Sequence, residues 1–126
     1  MKTITVNGQT LQPSKILCVG RNYRAHIQEL GNEIPDSMVV FNKPNSAISD
    51  ILRSDINNQS LHYESELAFT VKAGNLDSVG FGLDLTKRRL QSALKEKGLP
   101  WERAKAFDGA ALFSQFVAIP KDLEDL

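Results

Sequence analysis

The stretch SLHYESELAF, residues 60–69, decides how the rest of the chain is read. It ends like a buried strand, yet it carries two carboxylates, Glu64 and Glu66, two residues apart. In extended chain, successive side chains point to opposite faces. His62, Glu64, Glu66 and Ala68 therefore share one face, and Tyr63, Ser65, Leu67 and Phe69 the other. Two carboxylates side by side repel unless something lowers the cost. Solvent, a Lys or Arg, or a metal ion would each do so.

Asp84 is the third acid to weigh. It stands in FGLDLT among apolar residues, where a lone buried carboxylate is expensive. Between the two segments lies AGNLD, residues 73–77, which reads as a turn. A hairpin centred near Asn75 would set Glu66 opposite Asp84. Three converging carboxylates make a hard-oxygen site, suited to Mg²⁺, Mn²⁺ or Ca²⁺ rather than to zinc. The alternative is a solvated strand face with scattered acids.

Working outward, TITVNGQTL alternates around Asn-Gly and reads as a small hairpin. KILCVG is a short apolar strand. NYRAHIQELG reads as a short helix closed by Gly31. SMVVFNKP is a strand stopped by Pro44, and a polar loop follows it. The glycines of VGFGLDLT predict a strand that another backbone approaches closely. TKRRLQSALKEKG is the clearest helix, with Thr86 as N-cap and Gly98 just past its C-terminus. ALFSQFVAIP is a late strand. Strands outnumber helices, so the expected class is α+β, in one domain over residues 1–126.

Lys and Arg number 15, as do Asp and Glu, so nothing points to nucleic acid or an anionic membrane as partner. The start lacks an apolar signal core, and no run is long enough to span a bilayer. The lone cysteine, Cys18, sits in an apolar run and reads as core. A reducing cytoplasm is the expected location.

Two further constellations bear on chemistry. His26 and Glu29 are three apart, which on a helix shares a face. A carboxylate behind an imidazole suits a general base, although an exposed histidine on a polar face fits the same spacing. Arg88, Arg89 and Lys105 are cations available to an anionic substrate. A basic helix surface is the plainer reading for Lys87, Lys95 and Lys97. Trp101 reads as packing.

These pieces occur together, in this order, in one family. GRNYRAHIQELG is similar to an Asn-Tyr-x-x-His-x-x-Glu segment, and VVFNKPNSAI to a Phe-x-Lys-Pro strand and turn. HYESEL is similar to a His-x-Glu-x-Glu-Leu metal strand, and LDLTKRRLQ to an Asp-x-Thr-x-Arg-Asp-x-Gln segment. KGLPWERAKAFDG is similar to the stretch that brings in an active-site lysine. In these five motifs, from about Lys15 to Pro120, the chain resembles the fumarylacetoacetate hydrolase family, in its small acylpyruvate hydrolase and isomerase/decarboxylase branch.

The resemblance implies a mixed β-sandwich roll of that family's C-terminal-domain type, with this chain as the N-terminal portion of a catalytic domain. It implies Mg²⁺ or Mn²⁺ on Glu64, Glu66 and Asp84, and His26, Glu29 and Lys105 as catalytic residues. Arg21, Arg88 and Gln91 would bind a small keto-acid substrate, and a homodimer is expected. The implied reaction is C–C hydrolysis of acylpyruvate-type diketo acids. Decarboxylation of oxaloacetate-type acids and isomerisation use the same centre, and a catalytically inactive metal-binding paralogue would keep the fold. A divalent ion polarises a 2-oxo acid, and Lys105 adds positive charge where an enolate forms.

Three features depart from the family pattern. Arg89 stands where an Asp usually follows the Arg. The connection from Glu66 to Asp84 is shorter than usual. The family domain continues with further strands and a Thr-Gly-Thr-Pro-type loop that nothing in this sequence matches.

Overall fold

The computed structural model describes residues 1–20 and 38–120. The helix expected over residues 22–31 lies outside them. The chain opens with a hairpin of β1 (Ile4–Val6) and β2 (Gln9–Leu11). Asn7 and Gly8 make its turn with φ of 50° and 77°, the left-handed pair that Asn-Gly favours. β3 (Lys15–Gly20) pairs antiparallel with β4 (Val39–Pro44), Cys18 opposite Phe41 and Ile16 opposite Lys43. The loop expected after β4 contains a small hairpin, β5 (Asp55–Ile56) with β6 (Gln59–Ser60). Its turn residues Asn57 and Asn58 take positive φ, which asparagine tolerates better than most residues.

The centre of the fold is the long hairpin of β7 (His62–Lys72) and β8 (Asn75–Thr86). β8 has β7 on one edge, with β9 (Ala111–Phe113) and β10 (Val117–Ala118) along the other. The single late strand expected from ALFSQFVAIP is thus two short strands, broken at Ser114 and Gln115. Gly80 and Gly82 explain how this segment comes so close. A Cβ on Gly80 would lie 3.1 Å from Phe116 Cδ1, and one on Gly82 would lie 3.2 Å from Phe113 Cε1. Phe116 packs with Ile4 and Ile48 in a core that Val6, Ile16, Ala68 and Phe113 border.

α1 (Arg88–Glu96) follows β8, and α2 (Glu102–Lys105) follows a short turn. Thr86 is not the N-cap. That position falls to Lys87 with no side-chain cap, and Thr86 closes β8 with its side chain buried. Gly98 does end the helix, at φ 65°. Its N–H donates to Lys95 O, and that of Leu99 to Leu94 O, which satisfies carbonyls the helix end leaves open.

The hairpin is amphipathic in an unusual sense. Its partly buried face carries Glu64, Glu66, Ala68 and Thr70, whereas Leu67 and Phe81, paired on the other face, are 50% and 67% exposed.

Candidate metal centre

The turn between β7 and β8 falls at Ala73 and Gly74, with φ of 50° and 80°, and Asn75 already belongs to β8. The hairpin is therefore not centred near Asn75. Glu64, not Glu66, stands opposite Asp84, and Glu66 stands opposite Gly82. The convergence survives this correction. Glu64 and Glu66 lie two apart on one face, Asp84 joins that face by direct pairing, and one carboxylate oxygen from each lies within 4.8 Å of the others.

Three cations meet these acids. Lys105 Nζ donates to Glu64 Oε2 at 2.9 Å, to Asp84 Oδ2 at 2.8 Å and to Thr86 Oγ1 at 2.7 Å. Arg88 Nη2 donates to Glu64 Oε1 at 2.6 Å. Lys43 Nζ lies 2.8 Å from Asp84 Oδ1. All three hydrogens of that ammonium are engaged elsewhere, on the carbonyls of Leu85, Lys105 and Ala110. Asp84 Oδ1 thus receives the charge of Lys43 but no hydrogen bond, which leaves it a buried acceptor.

Protonation follows from this arrangement. Burial pushes Glu64 up, but hydrogen bonds from Asp84, Lys105 and Arg88, with the charge of Lys105, outweigh it and hold the group at about 2. Asp84 moves the other way. Its burial raises it, and the nearby Lys43 and Lys105 offset that only in part. Burial likewise lowers Lys43, against the pull of Asp84. Cys18, on the inward face of β3, is pushed up to about 11 by burial and by the charge of Asp84.

The donor set fits a hard divalent cation. It offers carboxylate oxygens only, and one of them, Asp84 Oδ1, is buried without a hydrogen bond. Glu64, Glu66 and Asp84 are the residues that would hold the ion. Lys105 and Arg88, expected from the sequence to meet substrate, are brought onto the acids themselves. Gln91 lies three residues from Arg88 on α1 and is buried. Arg88 Nε and Gln91 Oε1 have no hydrogen-bond partner among the described residues. Arg89 is exposed and takes no part in the acidic cluster. It borders a separate cleft with Lys87, Leu90 and Asn58–Ser60. Arg21, His26 and Glu29 lie outside the described residues.

Lys43 is the residue that sequence reasoning missed. Its signal was the Phe-x-Lys-Pro resemblance, which contains this lysine without giving it a role. Phe41 itself lies beneath Lys105 Nζ, with the ring centroid 5.1 Å away, and packs edge-on against Trp101. Together they wall a cleft of about 340 Å³ that reaches Lys105.

A β-rich domain with a candidate divalent-cation centre on its longest hairpin is the class these features define. The family model "Fumarylacetoacetate (FAA) hydrolase C-terminal" matches residues 15–126. The chain belongs to the fumarylacetoacetate hydrolase family. It is 38% identical over 120 residues to an oxaloacetate tautomerase of Escherichia coli, covering 82% of this chain and 54% of that protein. It is 38% identical over 128 residues to the mitochondrial oxaloacetate decarboxylase of Dictyostelium discoideum, covering 89% and 58%. Among solved structures, the fumarylpyruvate hydrolase of Pseudomonas aeruginosa, in complex with Mn²⁺ and pyruvate, superposes with a TM-score of 0.84 at 29% identity. That match covers 95% of this chain and 60% of the hydrolase. The chain spans about half the length of the curated relatives it matches. Among the described residues, no helix is long and apolar enough to cross a membrane.

Proposed function

We propose that this chain carries the divalent-metal centre of an enzyme acting on small 2-oxo acids, with tautomerisation or decarboxylation of an oxaloacetate-type acid as its reaction. The observation that carries this is the meeting of Glu64, Glu66 and Asp84 with Lys105 Nζ between two of them. The relatives named for oxaloacetate chemistry favour it over C–C hydrolysis of acylpyruvates, which the fumarylpyruvate hydrolase keeps as the second reading. Mg²⁺ or Mn²⁺, when bound, supplies a Lewis acid for the oxygens of a 2-oxo acid.

The chain's own residues do the rest. Glu64, Glu66 and Asp84 would hold the ion. Lys105 places an ammonium where negative charge gathers as a ketone enolises, and this favours the charged transition state over the neutral ground state. Arg88 Nε and Gln91 Oε1 offer a donor and an acceptor from one helix face for the acid's polar groups. Phe41 and Trp101 give the neighbouring cleft an apolar wall beside Lys105. Tautomerisation moves a proton between carbon and the ketone oxygen, work for which His26 with Glu29 is the proposed carrier. Hydrolysis would ask the same pair to activate water.

The exposed apolar face of the β7–β8 hairpin supports a second copy of the chain as partner.

The deciding experiment follows oxaloacetate by ultraviolet absorbance, with Mn²⁺ and with chelator, alongside pyruvate release and acetylpyruvate consumption. Metal-dependent loss of the enol, with or without pyruvate, is expected, and Asp84→Asn should abolish it together with Mn²⁺ binding. Acetylpyruvate cleavage without oxaloacetate turnover would move the assignment to the hydrolase reading. Unchanged Mn²⁺ affinity in folded Asp84→Asn would remove the metal centre itself.

A further inference from the structure

Lys43 is 1% exposed, among the most buried large side chains described, yet it carries a charge. Burying an ammonium is costly unless it is paired and its hydrogens are taken up. Here both conditions are met. Leu85 O accepts at 3.1 Å and Ala110 O at 3.0 Å, Lys105 O accepts the third hydrogen, and Asp84 Oδ1 lies 2.8 Å away. Four oxygens thus surround one nitrogen.

The four come from three separate pieces of chain. Asp84 and Leu85 are in β8, Lys105 ends α2, and Ala110 immediately precedes β9, while Lys43 itself projects from β4. Main-chain pairing joins β8 to β9, but α2 is not part of that sheet. The bond from Lys43 to the carbonyl of Lys105 fixes the backbone from which the Lys105 side chain sets out. The opposite end of that side chain reaches Glu64 and Asp84. Lys43 therefore holds both the root of Lys105 and the acid at its tip.

We propose that Lys43 is a positioning residue of the acidic centre: its caged ammonium sets the place of Asp84 and of Lys105 relative to each other. The proposal rests on the reading of Glu64, Glu66 and Asp84 as a metal centre. A purely architectural lysine would stabilise the fold and leave the ligand geometry of the folded protein untouched. A positioning lysine must also alter how tightly the acids take up an ion, since supporting contacts around a metal ligand typically govern affinity by about 10–100-fold.

The test titrates Mn²⁺ into the wild-type chain, Lys43→Met and Lys43→Arg, reading free Mn²⁺ by electron paramagnetic resonance and folding by circular dichroism. Folded Lys43→Met should bind Mn²⁺ at least about tenfold more weakly. Lys43→Arg, which keeps the charge but not the compact tetrahedral donor set, should recover only part of the loss. Wild-type affinity in folded Lys43→Met overturns the proposal. If Lys43→Met does not fold, the ¹⁵N resonance of the Lys43 ammonium in the wild-type chain decides. It should shift on Mg²⁺ titration with the midpoint of metal binding, and a resonance unmoved while the site saturates overturns the proposal. A wild-type chain that takes up no Mn²⁺ is a different failure, that of the metal centre.

Discussion

Glu64 and Asp84 stand directly opposite each other across β7 and β8 because β8 contains one residue more than a regular ladder would need. From the turn the pairs run Lys72↔Asn75 and Val71↔Leu76, then jump to Thr70↔Ser78, leaving Asp77 outside the pairing. Continued without that step, the ladder would set Glu64 opposite Leu83 and turn Asp84 to the other face. Directly paired residues share a face, and a slip of one residue exchanges the faces. A bulge of one residue therefore decides whether three carboxylates converge or two remain alone.

Deleting Asp77 tests this relationship. With Asp77 removed, Ser78 follows Leu76 directly, so a regular ladder from the turn still pairs Thr70 with Ser78 and Glu64 with Asp84, and Mn²⁺ binding should be retained. Binding lost in protein that retains its strand signal by circular dichroism would mean that the bulge itself, and not the pairing alone, sets the place of Asp84.

The protonation of Glu64 gives an acid-stability prediction. Its carboxyl is held at about 2 in the folded chain against an ordinary 4.5. A depressed carboxylate contributes its full stabilisation above the ordinary value and loses it as pH falls through the folded one. The contribution of Glu64 should therefore fade between pH 4.5 and about 2. The raised Asp84 acts in the opposite sense, because folding favours its protonated form. Denaturant titrations across that range should show Glu64→Gln less stable than wild type near neutrality and flatter in its acid limb. An acid limb as steep as that of wild type would show that other carboxyls dominate.

Gly80 offers a packing test independent of the site. A methyl there would meet Gln115 O, Phe116 Cδ1 and Ser114 Oγ, each at 3.1 Å. Phe116 belongs to the core and Gln115 O is main chain, so neither can retreat freely. Gly80→Ala should lower unfolding free energy by about 1–3 kcal/mol, the usual range for overpacking. Gly20→Ala, whose methyl would find its nearest neighbours at 3.6 Å, is the control and should cost less.

Much of this protein is local physics, and local physics is legible in sequence. Alternation alone put Glu64 and Glu66 on one face and defined β7, because the two-residue period of a strand does not depend on its neighbours. Asn7-Gly8 and Gly98 marked their turns because few other residues accept left-handed backbone cheaply. The five ordered motifs pointed to the family that the match over residues 15–126 shows. What composition and pattern could not supply was pairing across space. The register at Asp84 hung on a bulge that no residue type announces, and a turn centre misplaced by one residue was enough to name Glu66 in place of Glu64. The role of Lys43 was hidden for the same reason. Its four oxygen neighbours come from positions 84, 85, 105 and 110, and only the folded chain brings them around one nitrogen. A buried charge is tolerable only in such company, so tertiary structure alone decided that this lysine belongs inside.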